Sequence, residues 1–176
     1  MRYASIRNMD ISNGKGLGVS LFVQGCSFHC KNCFNHETWD FDGGKEWTPE
    51  IKEKFFKLIN RDYVERVSIL GGEPLVDKNV EAVLDLIKEI RFKFPNKKIW
   101  VYSGYEWNTI VTSDLNFERD KISKIRRDVL NYIDVLVDGK FDEEKKDLTL
   151  KWKGSTNQHV IDVQESLKSE KIIEID

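Results

Sequence analysis

Four short apolar segments, each released into a polar, glycine-bearing turn, constrain this chain more than any other feature. Gly18–Gln24 (GVSLFVQ) runs into Gly25-Cys26, and Arg66–Leu70 (RVSIL) into Gly71-Gly72-Glu73-Pro74. Lys98–Tyr102 (KIWVY) runs into Ser103-Gly104, and Ile133–Val137 (IDVLV) into Asp138-Gly139-Lys140. Helical patterns separate them. Thr48-Pro49-Glu50 reads as a helix start, with Thr as N-cap and Pro at the first helical position; Ile51, Phe55, Leu58 and Ile59 then share one face. Val80, Val83, Leu84, Ile87 and Phe94 mark a longer amphipathic helix stopped by Pro95. Trp107–Tyr132 holds one or two more helices, and the tail is charged up to Trp152 before looping through Gly154-Ser155. Strand–helix alternation predicts right-handed crossovers and a parallel sheet, an α/β fold. With 176 residues the chain suits one domain and falls short of eight strand–helix units, which leaves an open sheet or a partial barrel. Both architectures bind ligands at the C-terminal strand ends, where all four polar turns lie.

Charge narrows the partners. Lys plus Arg number 28 against 30 Asp plus Glu, a net charge of −2, so there is no electrostatic footprint for nucleic acid or an anionic membrane surface. Apolar runs such as Val19–Val23 fall far below the roughly 20 residues of a membrane span. The N-terminus MRYASIRNMD lacks the apolar stretch of a secretory signal, so a cytoplasmic location is expected.

The three cysteines, Cys26, Cys30 and Cys33, fall within eight residues, and a tight odd set is no disulfide framework. Three thiolates suit an iron–sulfur cluster with one iron left open, an arrangement fitted to catalysis. The spacing alone leaves other readings: zinc with His29 or His36 as fourth ligand, an electron-transfer cluster with a histidine ligand, or clustered structural thiols. Both histidines read more simply as polar loop groups, Trp39 and Trp47 as core, and Asp142–Asp147 as a solvated loop.

Cys26-x₃-Cys30-x₂-Cys33 after a first strand, followed by Gly-Gly-Glu-Pro after a second, resembles the radical S-adenosylmethionine (SAM) superfamily. The resemblance implies a truncated, partial radical SAM β/α barrel. It also implies one 4Fe–4S cluster on Cys26, Cys30 and Cys33, whose open iron takes the amino and carboxylate groups of SAM. Gly71, Gly72 and Glu73 would face the SAM amine. Many members carry an aromatic residue just before the third cysteine, near the adenine. Here Asn32 holds that place and Phe34 follows, so backbone from Asn32 through Cys33 to Phe34 is the expected adenine contact. Ser103 is a candidate partner of the SAM carboxylate. Asp138 and Lys140 are candidates for its ribose or carboxylate, directly or through a cation. Each of the three also reads as an ordinary polar residue at a strand end.

The chain is similar more specifically to activating proteins of the anaerobic ribonucleotide reductase. The likeness runs through Asn13-Gly14, Leu21-Phe22-Val23, Cys33-Phe34-Asn35 with Thr38-Trp39, Gly71–Leu75, Ile99–Val101 and Ser103-Gly104-Tyr105. It continues through Asp134–Phe141 and the tail residues Trp152, Gly154-Ser155 and Asn157-Gln158, which superfamily-wide motifs do not include. Two departures stand out: Gly14-Lys15-Gly16 with Gly18 where the family often has Gly-Pro-Gly and then an Arg, and His159 where an Arg commonly follows Asn157-Gln158. The resemblance implies a single radical SAM domain over 1–176, with a core at about 17–141 and a tail at 142–176. It implies a flavodoxin-like reductant, reductive cleavage of SAM to a 5′-deoxyadenosyl radical, and hydrogen abstraction from a glycine on the glycyl-radical loop of the reductase large subunit. Rival activities are activation of another glycyl-radical enzyme, small-molecule radical SAM chemistry such as deazapurine synthesis, and a non-catalytic zinc adaptor.

Overall fold

The computed structural model describes residues 1–112 and 120–175. Strands β1 (Arg2–Asp10), β2 (Gly18–Val23), β3 (Lys45–Glu46), β4 (Arg66–Gly71), β5 (Lys98–Tyr102), β6 (Val135–Asp138) and β7 (His159–Asp162) form one sheet. Their order is β3-β1-β2-β4-β5-β6-β7. The helices among the described residues are α1 (Pro49–Ile59), α2 (Asp77–Lys93), α3 (Trp107–Val111), α4 (Asp120–Leu130) and α5 (Val163–Ser169). Part of the expected helical stretch Trp107–Tyr132, at 113–119, lies outside the described residues.

The four expected strands are the central ones, β2, β4, β5 and β6, and they pair in parallel with Leu21 opposite Ile69, Ile69 opposite Val101 and Val101 opposite Leu136. They lie side by side in chain order, so every crossover steps the same way. Right-handed crossovers of that kind put all connecting helices on one face. Alternate strand residues sort accordingly. Val19, Leu21, Val67, Ile69, Ile99, Val101 and Leu136 join a core to which all five helices contribute, among them Phe55, Ile87, Trp107, Leu130 and Val163. The opposite face builds a smaller cluster of Trp100, Val135, Val137 and Val160, flanked by Tyr102 and Trp152 and without a helix residue. Thr48 caps α1, its hydroxyl oxygen accepting from the Ile51 N–H at 3.4 Å, and Pro49 opens the helix as the pattern predicts.

The flanks differ from the expected parallel sheet. β1 runs antiparallel to both β2 and β3, and β7 runs antiparallel to β6. Residues 11–17, between β1 and β2, are too few for a crossover, which takes a dozen or more. The mixed α/β sheet is therefore parallel only at its centre.

Arg66, which the pattern treats as the start of an apolar strand, is 0% exposed. Its guanidinium donates to Ser68 Oγ (2.6 Å) and to the carbonyl of Asp10 (2.7 Å), with the Asp10 carboxylate 3.6 Å away. A Cβ on Gly18 would meet Arg66 Nη1 at 2.5 Å, so an arginine fills the space that a glycine leaves. No described helix is long and apolar enough to cross a membrane.

Candidate active site

Two strand ends meet backbone to backbone. Gly25, after β2, turns with φ +97°; its N–H donates to Thr38 O (2.8 Å), and the Cys26 N–H donates to Trp39 O (3.0 Å). Gly72 and Glu73, after β4, donate their N–H groups to Val23 O (2.9 Å) and Gly25 O (2.8 Å). A Cβ on Gly72 would lie 2.5 Å from Gly25 O, so the close approach this glycine permits is to the cysteine loop. Asn79 of α2 bridges the two turns, donating to Gln24 O (2.9 Å) and Glu73 O (3.1 Å). Sequence reasoning passed over Asn79; its signal is a lone amide in the first turn of an apolar-faced helix.

Glu73 is 2% exposed. Its Oε1 accepts from the Leu75 N–H (2.8 Å) and the Ser103 hydroxyl (2.8 Å), and its Oε2 from the Gly104 N–H (2.7 Å). Burial pushes this carboxyl up to about 7; the Gly104 and Leu75 N–H groups, Ser103 and the Arg126 charge only partly offset it. A carboxylate has about four acceptor positions, so Oε2 keeps capacity for a cationic donor.

The three thiols and Gly71-Gly72-Glu73 line one cavity of about 560 Å³. Phe22, Leu70, Tyr102 and Val137, one residue from each central strand on the helix-free face, also line it. That volume is in the range of small-molecule sites. Cys26 is 8% exposed, and Cys30 and Cys33 are half-buried. Burial raises the Cys26 thiol, opposed by the N–H groups of Phe28 and His29. Burial, then the neighbouring Cys33, raises Cys30, opposed by the Phe141 N–H and Lys140. Such thiols release their protons on binding metal.

The donor set fits a three-thiolate cluster. Neither His29 nor His36 lines the cavity, and His29 instead stacks on Trp39 with ring centroids 4.5 Å apart. Among the described residues no three His, Cys, Asp or Glu side chains converge on a single-ion site. Trp39 Nε1 and Tyr102 Oη are buried without a hydrogen-bond partner, and both residues line the cavity, which leaves polar groups for a bound molecule. Trp47 is partly buried and packs edge-on to Tyr3 and Phe55, against the core.

The remaining expected residues divide. Phe34 lines the cavity, 55% exposed, with its ring 5.1 Å from that of Phe141. Lys140 lines it too, with Nζ 4.6 Å from the Phe28 ring centroid. Ser103 lines it, but its hydroxyl proton goes to Glu73, so it orients that carboxylate instead of donating to a ligand. Asn32 is exposed, outside the lining, and its amide donates to Glu143. Asp138 is also outside the lining and 2% exposed. Its Oδ2 accepts from the Trp107 N–H (2.7 Å), and Oδ1 accepts from the His159 N–H (3.2 Å) and lies 2.8 Å from His159 Nδ1. Asp138 therefore ties β6 to α3 and β7 from outside the cavity lining.

Residues 12–161 match the family model described as "4Fe-4S single cluster domain". The chain is 38% identical over 162 residues to the anaerobic ribonucleoside-triphosphate reductase-activating protein of Salmonella typhi, covering 91% of this chain and 97% of that one. It is 36% identical to the protein of that name from Escherichia coli (strain K12), with the same coverage. Against the one from Enterobacteria phage T4 it is 31% identical over 160 residues, covering 91% and 93%. Likeness of this extent, over a chain whose three thiols share a cavity with the Gly-Gly-Glu turn, places the protein in the family of anaerobic ribonucleoside-triphosphate reductase-activating proteins.

Proposed function

We propose that this chain is a radical SAM activase that generates a glycyl radical on anaerobic ribonucleoside-triphosphate reductase. One observation carries the reading: Cys26, Cys30, Cys33 and the Gly71–Glu73 turn line one cavity at the C-terminal ends of the parallel strands. The cysteines would hold three irons of a 4Fe–4S cluster, with the fourth open to SAM. When bound, the reduced cluster and SAM supply a 5′-deoxyadenosyl radical that takes a hydrogen atom from a glycine Cα of the partner.

The chain's own groups bind and orient. Glu73 accepts from the SAM ammonium through the free capacity of Oε2, held in place by Ser103, Gly104 and Leu75. A buried, partly neutral carboxyl becomes an anion when a cation arrives, so binding and ionisation reinforce each other. Phe34 and the Asn32–Phe34 backbone serve the adenine, and Lys140 stands at the rim for an anionic group of SAM. The apolar floor of Phe22, Leu70 and Val137 excludes water from the radical step.

The one-sided helices and in-order parallel strands support a truncated radical SAM barrel. They also support a single domain at 1–176 with its core at about 17–141 and a tail at 142–176. The partner segment is the glycyl-radical loop of the reductase large subunit, the reductant a flavodoxin or similar protein, and the location the cytoplasm. The test is anaerobic reconstitution with iron and sulfide, then dithionite and SAM, with 5′-deoxyadenosine read by chromatography. Wild type should form it and a Cys26→Ala, Cys30→Ala, Cys33→Ala variant should not. Co-supplied reductase should then show a glycyl-radical EPR signal. A well-loaded wild type that forms no 5′-deoxyadenosine overturns the assignment.

A further inference from the structure

Two stretches of the chain have no role in the reading above: the tail motif Gly154-Ser155, Asn157-Gln158 and the charged segment Asp142–Asp147. The fold connects them. Gln158 Oε1 accepts from the N–H groups of Gly154 (2.9 Å) and Ser155 (3.2 Å), while its Nε2 donates to Gly139 O (2.8 Å). Asn157 Nδ2 donates to Lys140 O (2.9 Å), and the Asp142 N–H donates to the buried Ser155 Oγ (3.1 Å). The tail thus grips the backbone of the turn that follows β6.

That turn grips the cysteine loop in its own right. Glu143 stands 3.0 Å from Lys31 Nζ and accepts from the Asn32 amide, so it holds both residues between Cys30 and Cys33. The Phe141 ring packs on Phe34, and Gly154 makes room for the pair: a Cβ there would come within 3.0 Å of the Phe34 ring and 3.1 Å of the Phe141 ring. Cys26 has separate anchors in the Trp39 carbonyl and the β2–β4 contacts. The far half of the loop carries His29 and Asn32 in the left-handed region, at φ 48° and 53°. Non-glycine residues persist there only when their surroundings hold them.

We propose that Gly154–Gln158 and the Gly139–Glu143 turn form a two-tier bracket that positions Cys30 and Cys33, with Gln158 and Glu143 as positioning residues. The bracket rests on the reading of the cysteines as cluster ligands.

The test separates the bracket from the activity. In the metal-free protein, iodoacetamide labelling is followed cysteine by cysteine with mass spectrometry. Glu143→Ala should label Cys30 and Cys33 about tenfold faster for loss of a charge-assisted contact, and Gln158→Ala should also label them faster, with Cys26 unchanged in both. Glu143→Gln, which keeps an acceptor for Asn32, should restore most of the protection. Glu144→Ala, in the same turn but without a side-chain contact to the loop, should behave as wild type. If Gln158→Ala does not fold, the half-exposed Glu143 still decides the matter. Unchanged labelling in a folded Glu143→Ala overturns the bracket, even where wild type forms 5′-deoxyadenosine; enhanced labelling with no 5′-deoxyadenosine from wild type overturns the activase reading alone.

Discussion

Replacing Glu73 with Gln should remove a pH dependence of stability that the metal-free wild type carries. The carboxyl rises from 4.5 to about 7 because it is buried. A raised carboxyl favours the folded state fully below the unfolded value, and that contribution disappears as pH climbs through the folded value. At 1.36 kcal/mol per pH unit the whole effect is about 3 kcal/mol. Most of it falls between about pH 5 and pH 8, and the remainder below, because the unfolded group is already partly ionised at the acid end. With a urea slope of roughly 2 kcal/mol/M, the midpoint should drop by about 1 M over that range. Other groups titrate as well, so the measured quantity is the wild-type slope minus that of Glu73→Gln, by urea unfolding under reductant. Gln sets an amide N–H₂ against the Gly104 N–H, which lowers stability at every pH without adding a slope. Equal slopes in the two proteins would refute the reasoning: Glu73 would then be solvated, and the three donors around it would not describe its environment.

Four further outcomes follow from named contacts. Asp138→Ala should lower the melting temperature, corresponding to about 2–3 kcal/mol from orphaning the buried Trp107 N–H, and leave calorimetric SAM binding to reconstituted protein unchanged. Asp134 is held low despite burial by the Ile99 N–H, Lys98 and Arg91, so its contribution is present above 3.8 and lost as pH falls through the lowered value. Asp134→Asn should therefore cost about 1–3 kcal/mol near pH 7 and nothing in strong acid, as read by urea unfolding at both ends. Gly72→Ala should unfold or strongly destabilise the chain in a thermal melt, since its Cβ meets the Gly25 carbonyl at 2.5 Å. Gly154→Ala faces movable ring edges at 3.0 Å and should lose less than about 1.5 kcal/mol.

What local chemistry dictates was legible in the chain. Four apolar runs became the four central strands, Thr48-Pro49 opened α1, and the turns at the strand ends converged on one cavity. Strand pattern, capping and crossover handedness are properties of short stretches, and the cysteine spacing carries its chemistry within eight residues. Tertiary structure alone decided the rest. β1 and β7 are polar enough to look like loops until an antiparallel neighbour satisfies their backbone. Arg66 is tolerable inside because Asp10, Ser68 and two glycines from distant residues surround it. Asp138 and Lys140 stand two residues apart in one motif, yet one is sealed among protein donors and the other lines the cavity. Residues two apart in a strand would share a face, but β6 ends at Asp138 and Gly139 turns with φ +88°, so which side each residue takes is settled only by that turn and by what folds against it.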